Sequence, residues 1–206
     1  MQARDAPDVA PLLQALCKER NRSRCPDMTI SFTLTESELT QSLSYAGFIL
    51  LSYELAKRLI IEPIKSFYAN ASFGEGMPFS SYEKDVKSRH KNDLQACLLY
   101  LRDFMEAIDS EDVLTIQAFR EHRNKLAHEL PASLNIRPQD YVLLLEKVDK
   151  ALFKLSNHNV FLEIGADPEL RAQDIDWASA YGPEYRLFRE IIEKVRAMGI
   201  QVSRYA

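Results

Sequence analysis

Glycine is scarce in this chain, six in 206 residues, and that argues against an all-β fold, whose tight turns draw on glycine's access to positive φ. Cysteine is scarcer still. Cys17, Cys25 and Cys97 make an odd number with no Cys-x-x-Cys spacing, which speaks against a disulfide framework or a zinc site and for free thiols in a reducing cytoplasm. Long hydrophobic runs are missing too: the longest, Ala46 to Leu51, is far too short to span a bilayer, and the opening MQARDAPDVAP lacks the apolar stretch of a signal peptide. A cytoplasmic protein without a membrane partner is the expectation. Positive charge is not in excess either, with 26 Lys and Arg against 30 Asp and Glu for a net charge of -4. No global field advertises nucleic acid, although a single cleft can still concentrate cations. A glycine-rich phosphate loop and a G-x-S-x-G elbow are likewise absent, so nucleotide hydrolase and serine hydrolase chemistry have no support.

What is present is an ordinary globular composition, 46% hydrophobic and 27% charged, in a length suited to one domain. Residues 1–34 read as an N-terminal arm carrying Pro7, Pro11, Pro26 and the basic cluster Lys18 to Cys25, either a solvated segment or a secondary phosphate contact. A short helix can start at Pro11, and MTISFTL, Met28 to Leu34, is the one short alternating stretch.

From Thr35 to Ala206 the pattern is helical. Thr35 with Glu38 has capping-box spacing and opens a long helix whose middle, Tyr45 to Leu51, is apolar nearly all round; Pro63 is expected to kink or divide its end. Gly74, Gly76 and Pro78 mark a loop, and Ser80 with Glu83 can cap a second helix from Tyr82 to Ile108, with Leu94, Cys97, Leu98, Leu101, Phe104, Met105 and Ile108 as its buried stripe and His90 on the same line. DSED, Asp109 to Asp112, starts a third helix that Pro131 stops. A fourth runs from Pro138 to Asn157, residues 158–182 read as irregular around Trp177, and a last amphipathic helix closes at Gly199. The fold class is therefore an all-α bundle of about five main helices with irregular N-terminal and late-loop extensions, since amphipathic helices with short connections bury their stripes against one another.

The third helix carries the stretch REHRNKLAHEL, Arg120 to Leu130. At about 100° per residue, Arg123 falls among Ile116, Phe119, Leu126, Ala127 and Leu130, pointing inward or to an interface, while Asn124 and His128 project together from the neighbouring edge with Gln117 and Arg120. One interpretation pairs Arg123 with a carboxylate of another helix, Glu54 being the candidate, because an unpaired buried charge is costly. His122 falls on the opposite side from His128, so the pair is not a metal site.

The alternative is chemical. RNKLAH, Arg123 to His128, resembles the signature of the HEPN superfamily, all-α domains in which an Arg, usually followed by a polar residue, precedes a His by four to six intervening positions, here four. That resemblance implies a metal-independent endoribonuclease, needing no cofactor, whose site is completed by a second copy of the domain at a homodimer interface. RNA supplies its own nucleophile in the 2′-hydroxyl. It further implies His128 as general acid or base, Arg123 as stabiliser of charge on phosphorus, and Asn124 orienting His128 or holding a phosphate oxygen. Arg120 and Lys125 on this helix, with Lys87 and Arg89 of KSRHKND, are the candidate substrate-binding cations. Members of the superfamily also include toxins and phage-defence effectors held silent by an antitoxin protein, and non-catalytic modules that bind a nucleotide or a partner protein. Trp177 and Tyr181 can stack on a base or bury their loop on the bundle.

Overall fold

A computed structural model describes residues 35–130, 138–164, 167–171 and 176–202. The expected N-terminal arm, its basic cluster and its alternating stretch lie outside them. The described residues form helices and connecting turns without a strand: α1 (Glu36–Asn70), α2 (Tyr82–Asp85), a 3-10 turn at Lys87–Arg89, α3 (Asp93–Asp103), α4 (Ser110–Glu129), a second 3-10 turn at Pro138–Tyr141, α5 (Val142–Ile164), α6 (Pro168–Arg171) and α7 (Pro183–Val202). Five of these are long, and they make the bundle.

α1 is the axis of the fold. It begins at the Thr35/Glu38 capping box, in which each side chain takes the other's backbone N–H, and it packs against α3, α4, α5 and α7. A helix with neighbours on several sides must be apolar on several sides, and Tyr45, Ile49 and Ile60 are fully buried along it. Around them close Leu98 and Tyr100 of α3, Ile116 and Phe119 of α4, Leu145, Leu152 and Leu155 of α5, and Phe188 and Ile192 of α7.

Pro63 does not divide α1, which is continuous through it. A proline inside a helix removes the N–H that would bond the carbonyl four residues back, here that of Leu59. The side-chain amide of Asn159 on α5 donates to that carbonyl at 3.2 Å, so the acceptor is satisfied from outside and the helix runs on to Asn70.

The expected second helix is broken. α2 is one turn, capped by Ser81 rather than Ser80; Ser80 instead gives its N–H and hydroxyl to Asp85. α3 starts only at Asp93 because Asn92 caps it, accepting from the Gln95 N–H at 3.1 Å. His90 consequently sits exposed in an extended link, not on a buried stripe. α3 stops at Asp103, where Glu106 takes a left-handed φ of 52° and the Ala107 N–H reaches back to the Leu101 carbonyl; Phe104 thereby comes out to 39% exposure.

α5 continues seven residues past Asn157 to Ile164, so the first part of the expected irregular region is helical. Asn157 then holds the following loop by donating to the carbonyls of Trp177 and Ala180, and Trp177 meets Phe161 edge-on. α7 passes through Gly199 to Val202; one glycine costs a helix only about 1 kcal/mol, too little to end it there.

Candidate functional site

Asp109 and Asp112 close a second reciprocal capping box at the start of α4. From there α4 buries Val113, Thr115, Ile116, Phe119, His122 and Leu126. The buried face is thus turned from the one expected: Ala127 is exposed, and His122 is inside. His122 is taken up by two tyrosines, with Nε2 2.9 Å from the Tyr45 hydroxyl and its ring stacked on Tyr141 at 3.6 Å. Burial pushes its pKa down to about 4, helped by the nearby Lys125 charge. The ring is a neutral structural histidine.

That rotation carries Arg123 to the border of the core. Its side chain is 32% exposed and its guanidinium lies 5.3 Å from the centre of the Tyr53 ring. Nη1 donates to Asn124 Oδ1 at 3.1 Å, and Nη2 stands 3.6 Å from Glu54 Oε1. The carboxylate partner expected from the sequence is present, but the pair is open to water. At that exposure the ion pair contributes about 0–1 kcal/mol, and the ring contact about as much. Neighbouring guanidinium charge is also felt by Tyr53, whose pKa burial raises while Arg120 and Arg123 oppose the shift.

Arg123, Asn124 and Arg120 line one wall of a polar cleft of about 570 Å³; α1 supplies the facing wall and residues 92–94 close one end. Lys57, Arg58, Lys65, Arg120 and Arg123 outnumber Glu54, Glu62 and Asp93 along it. Glu54 is shared, because Lys57 also contacts it at 3.4 Å. Among the described residues, Arg58, Lys65 and Arg120 make no ion pair, so their charge faces whatever enters. A second polar hollow of about 460 Å³ adjoins the first and shares Arg120 and Asn124 with it; its rim includes exposed His90. Gln117 braces this side by donating to Gln95 at 2.7 Å.

The other sequence candidates are distributed unevenly. His128 is exposed, one turn beyond Asn124, and does not line the cleft. Lys125 is exposed beside Glu129 at 4.0 Å and also points elsewhere. Lys87 is occupied by Asp93 at 3.2 Å, and Arg89 is tied to the Asp85 carbonyl, to Asp103 and to the Tyr100 ring. Neither lines the cleft, although Asp93, the partner of Lys87, does. Arg58 and Lys65 were missed in the sequence, although Glu54, Arg58 and Lys65 recur at helical spacing on one face of α1.

Among the described residues no group of three or more His, Cys, Asp or Glu side chains is placed to hold a metal ion, and no helix is long and apolar enough to cross a membrane. No family model, curated protein or solved structure matches the chain.

Proposed function

We propose that this protein is a metal-independent endoribonuclease of HEPN type, acting as a homodimer with Arg123, Asn124 and His128 as its reacting set. The observation that carries the proposal is the position of Arg123: it is held at the wall of an open, cation-rich cleft by Tyr53, Asn124 and Glu54, not sealed in the core. In the reaction the 2′-hydroxyl oxygen bonds to phosphorus as the P–O5′ bond breaks. A base takes the hydroxyl proton and an acid supplies one to the leaving 5′ oxygen, giving a 2′,3′-cyclic phosphate and a 5′-hydroxyl end. Arg123 meets the charge on the phosphoryl oxygens, Arg58, Lys65 and Arg120 hold the flanking backbone, and the exposed His128 moves protons in the completed site.

The homodimer has support of its own. Leu39, Leu43 and Leu51 are 37%, 49% and 49% exposed. Spaced by four with Gly47 between the last two, they form an apolar ridge on α1 that runs toward Glu54 and the cleft.

One observation favours a second interpretation, a non-catalytic module binding a nucleotide or partner protein: His128 stands outside the cleft that holds Arg123 and Asn124. A pair of substrates separates the two. Wild-type protein in EDTA is given a single-stranded RNA and the same strand with 2′-deoxyribose throughout; the nuclease cuts only the first. Binding of the RNA without cleavage would replace the enzyme by the binding module.

A further inference from the structure

The hollow of about 460 Å³ beside the cleft differs from it in the sign of its charge. Gln117, Arg120, Glu121 and Asn124 recur at helical spacing along α4 and give one wall, while His90 and Gln95 give the other. Asn92, Asp93 and Leu94, between those last two in the chain, line the cleft instead, and Arg120 and Asn124 line both spaces. One ligand can therefore extend from the cleft into the hollow past Arg120 and Asn124.

Where the cleft is rich in cations, the hollow sets one carboxylate, the exposed Glu121, beside Arg120, and neither makes an ion pair among the described residues. A free carboxylate repels phosphate and accepts from N–H groups. The part of a ligand that suits this hollow is thus a neutral group with donors of its own. The remaining polar atoms are fixed by their neighbours. Gln117 donates to Gln95 Oε1 at 2.7 Å, which leaves the Gln95 amide N–H groups as donors. Asn124 Oδ1 is taken by Arg123, so its amide also has donors to give. The Asn92 N–H bonds His90 Nδ1 at 2.9 Å, which puts the ring proton on Nε2.

The lining therefore pairs several neutral donors with one carboxylate. Among the four RNA bases, guanine is the one whose pairing edge runs acceptor, donor, donor, through O6, N1–H and N2–H. Its two neighbouring N–H groups match the two oxygens of a carboxylate. Adenine and cytosine have only an exocyclic amine to donate, and uracil one N–H between two carbonyls. Unpaired RNA exposes these edges to side chains.

We propose that the hollow seats a guanine base of a single-stranded RNA, with Glu121 accepting from N1–H and N2–H and the Gln95 amide donating to O6. Arg120, at the junction, keeps the phosphate that joins this nucleotide to the strand in the cleft. The proposal rests on the reading of the cleft as the site of the RNA backbone.

The test measures fluorescence anisotropy with labelled 2′-fluoro RNA strands of uridine carrying one central guanosine, adenosine or inosine. They lack the nucleophilic hydroxyl and stay intact. The guanosine strand should bind about tenfold more tightly than the adenosine strand, the size of one good bidentate pair. Inosine, which lacks the N2 amine, should fall between them. Glu121→Ala, at an exposed position, should leave the fold intact by circular dichroism and reduce the guanosine preference to less than about twofold, although removing a negative charge tightens every strand. Equal binding of the guanosine and adenosine strands, inosine equal to guanosine, or a preference that survives Glu121→Ala would each overturn the guanine site and leave the backbone reading standing. No binding of any strand would overturn both.

Discussion

Glu54 Oε1 stands 3.6 Å from Arg123 Nη2, and both side chains remain in contact with solvent. The carboxylate therefore holds the guanidinium in place while competing with any phosphate for it. Glu54→Gln keeps the shape and removes the competitor. Single-stranded RNA should bind about two- to fivefold more tightly to this variant at low salt, by fluorescence anisotropy, with the gain shrinking as salt screens it. Weaker binding would mean that Glu54 acts mainly to position Arg123.

Arg58 and Lys65 face the cleft without an ion pair among the described residues. Each replacement by Ala should lower RNA affinity uniformly across sequences and reduce the slope of log K against log salt by about 0.7. Unfolding midpoints should move little, because both side chains are exposed. Arg89→Ala, whose side chain is tied to Asp85, Asp103 and the Tyr100 ring outside the cleft, should leave the slope unchanged.

His122 makes stability depend on pH. Its pKa lies near 4 in the folded chain, below the ordinary 6.5, so the unfolded chain takes up the proton first. Stability contributed by the neutral ring is full above about pH 6.5, falls as the pH drops toward 4, and levels off below it. Integrated, the loss is on the order of 3 kcal/mol. Urea denaturation at pH 7 and pH 4.5 should show a smaller pH difference for His122→Gln than for wild type; equal differences would place the titration elsewhere.

Asn159 and Pro63 should be coupled through the Leu59 carbonyl. Asn159→Ala leaves that acceptor buried and unpaired, a loss of about 1–2 kcal/mol. Restoring the helical N–H with Pro63→Ala should make the same Asn159 substitution nearly neutral, and a double-mutant cycle by urea denaturation measures the difference.

Much of the helical layout was readable because capping chemistry is local: Thr35 with Glu38, and Asp109 with Asp112, specify helix starts within four residues. What escaped depends on groups remote in sequence. Pro63 looks like a breaker until Asn159, 96 positions along the chain, supplies the donor. His122, placed from spacing only on the side opposite His128, is buried because Tyr45 and Tyr141 close over it. The break before α3 was local yet ambiguous, since Asn92 suits a helix cap but the apolar periodicity from Leu94 invites extension backward. Arg123 as the unusual residue of α4, and Glu54 as its partner, were legible from spacing alone. The facing cations Arg58 and Lys65 gained meaning only once α1 and α4 were side by side.

The most direct test of the account is the end chemistry of RNA incubated in EDTA with the protein, its His128→Ala variant and its Arg123→Ala variant. Wild type should release fragments ending in 2′,3′-cyclic phosphate. Each variant should cut more slowly by at least about a hundredfold while remaining folded by circular dichroism. Undiminished cleavage by both variants, or wild-type products ending in a plain 3′-hydroxyl, would contradict it.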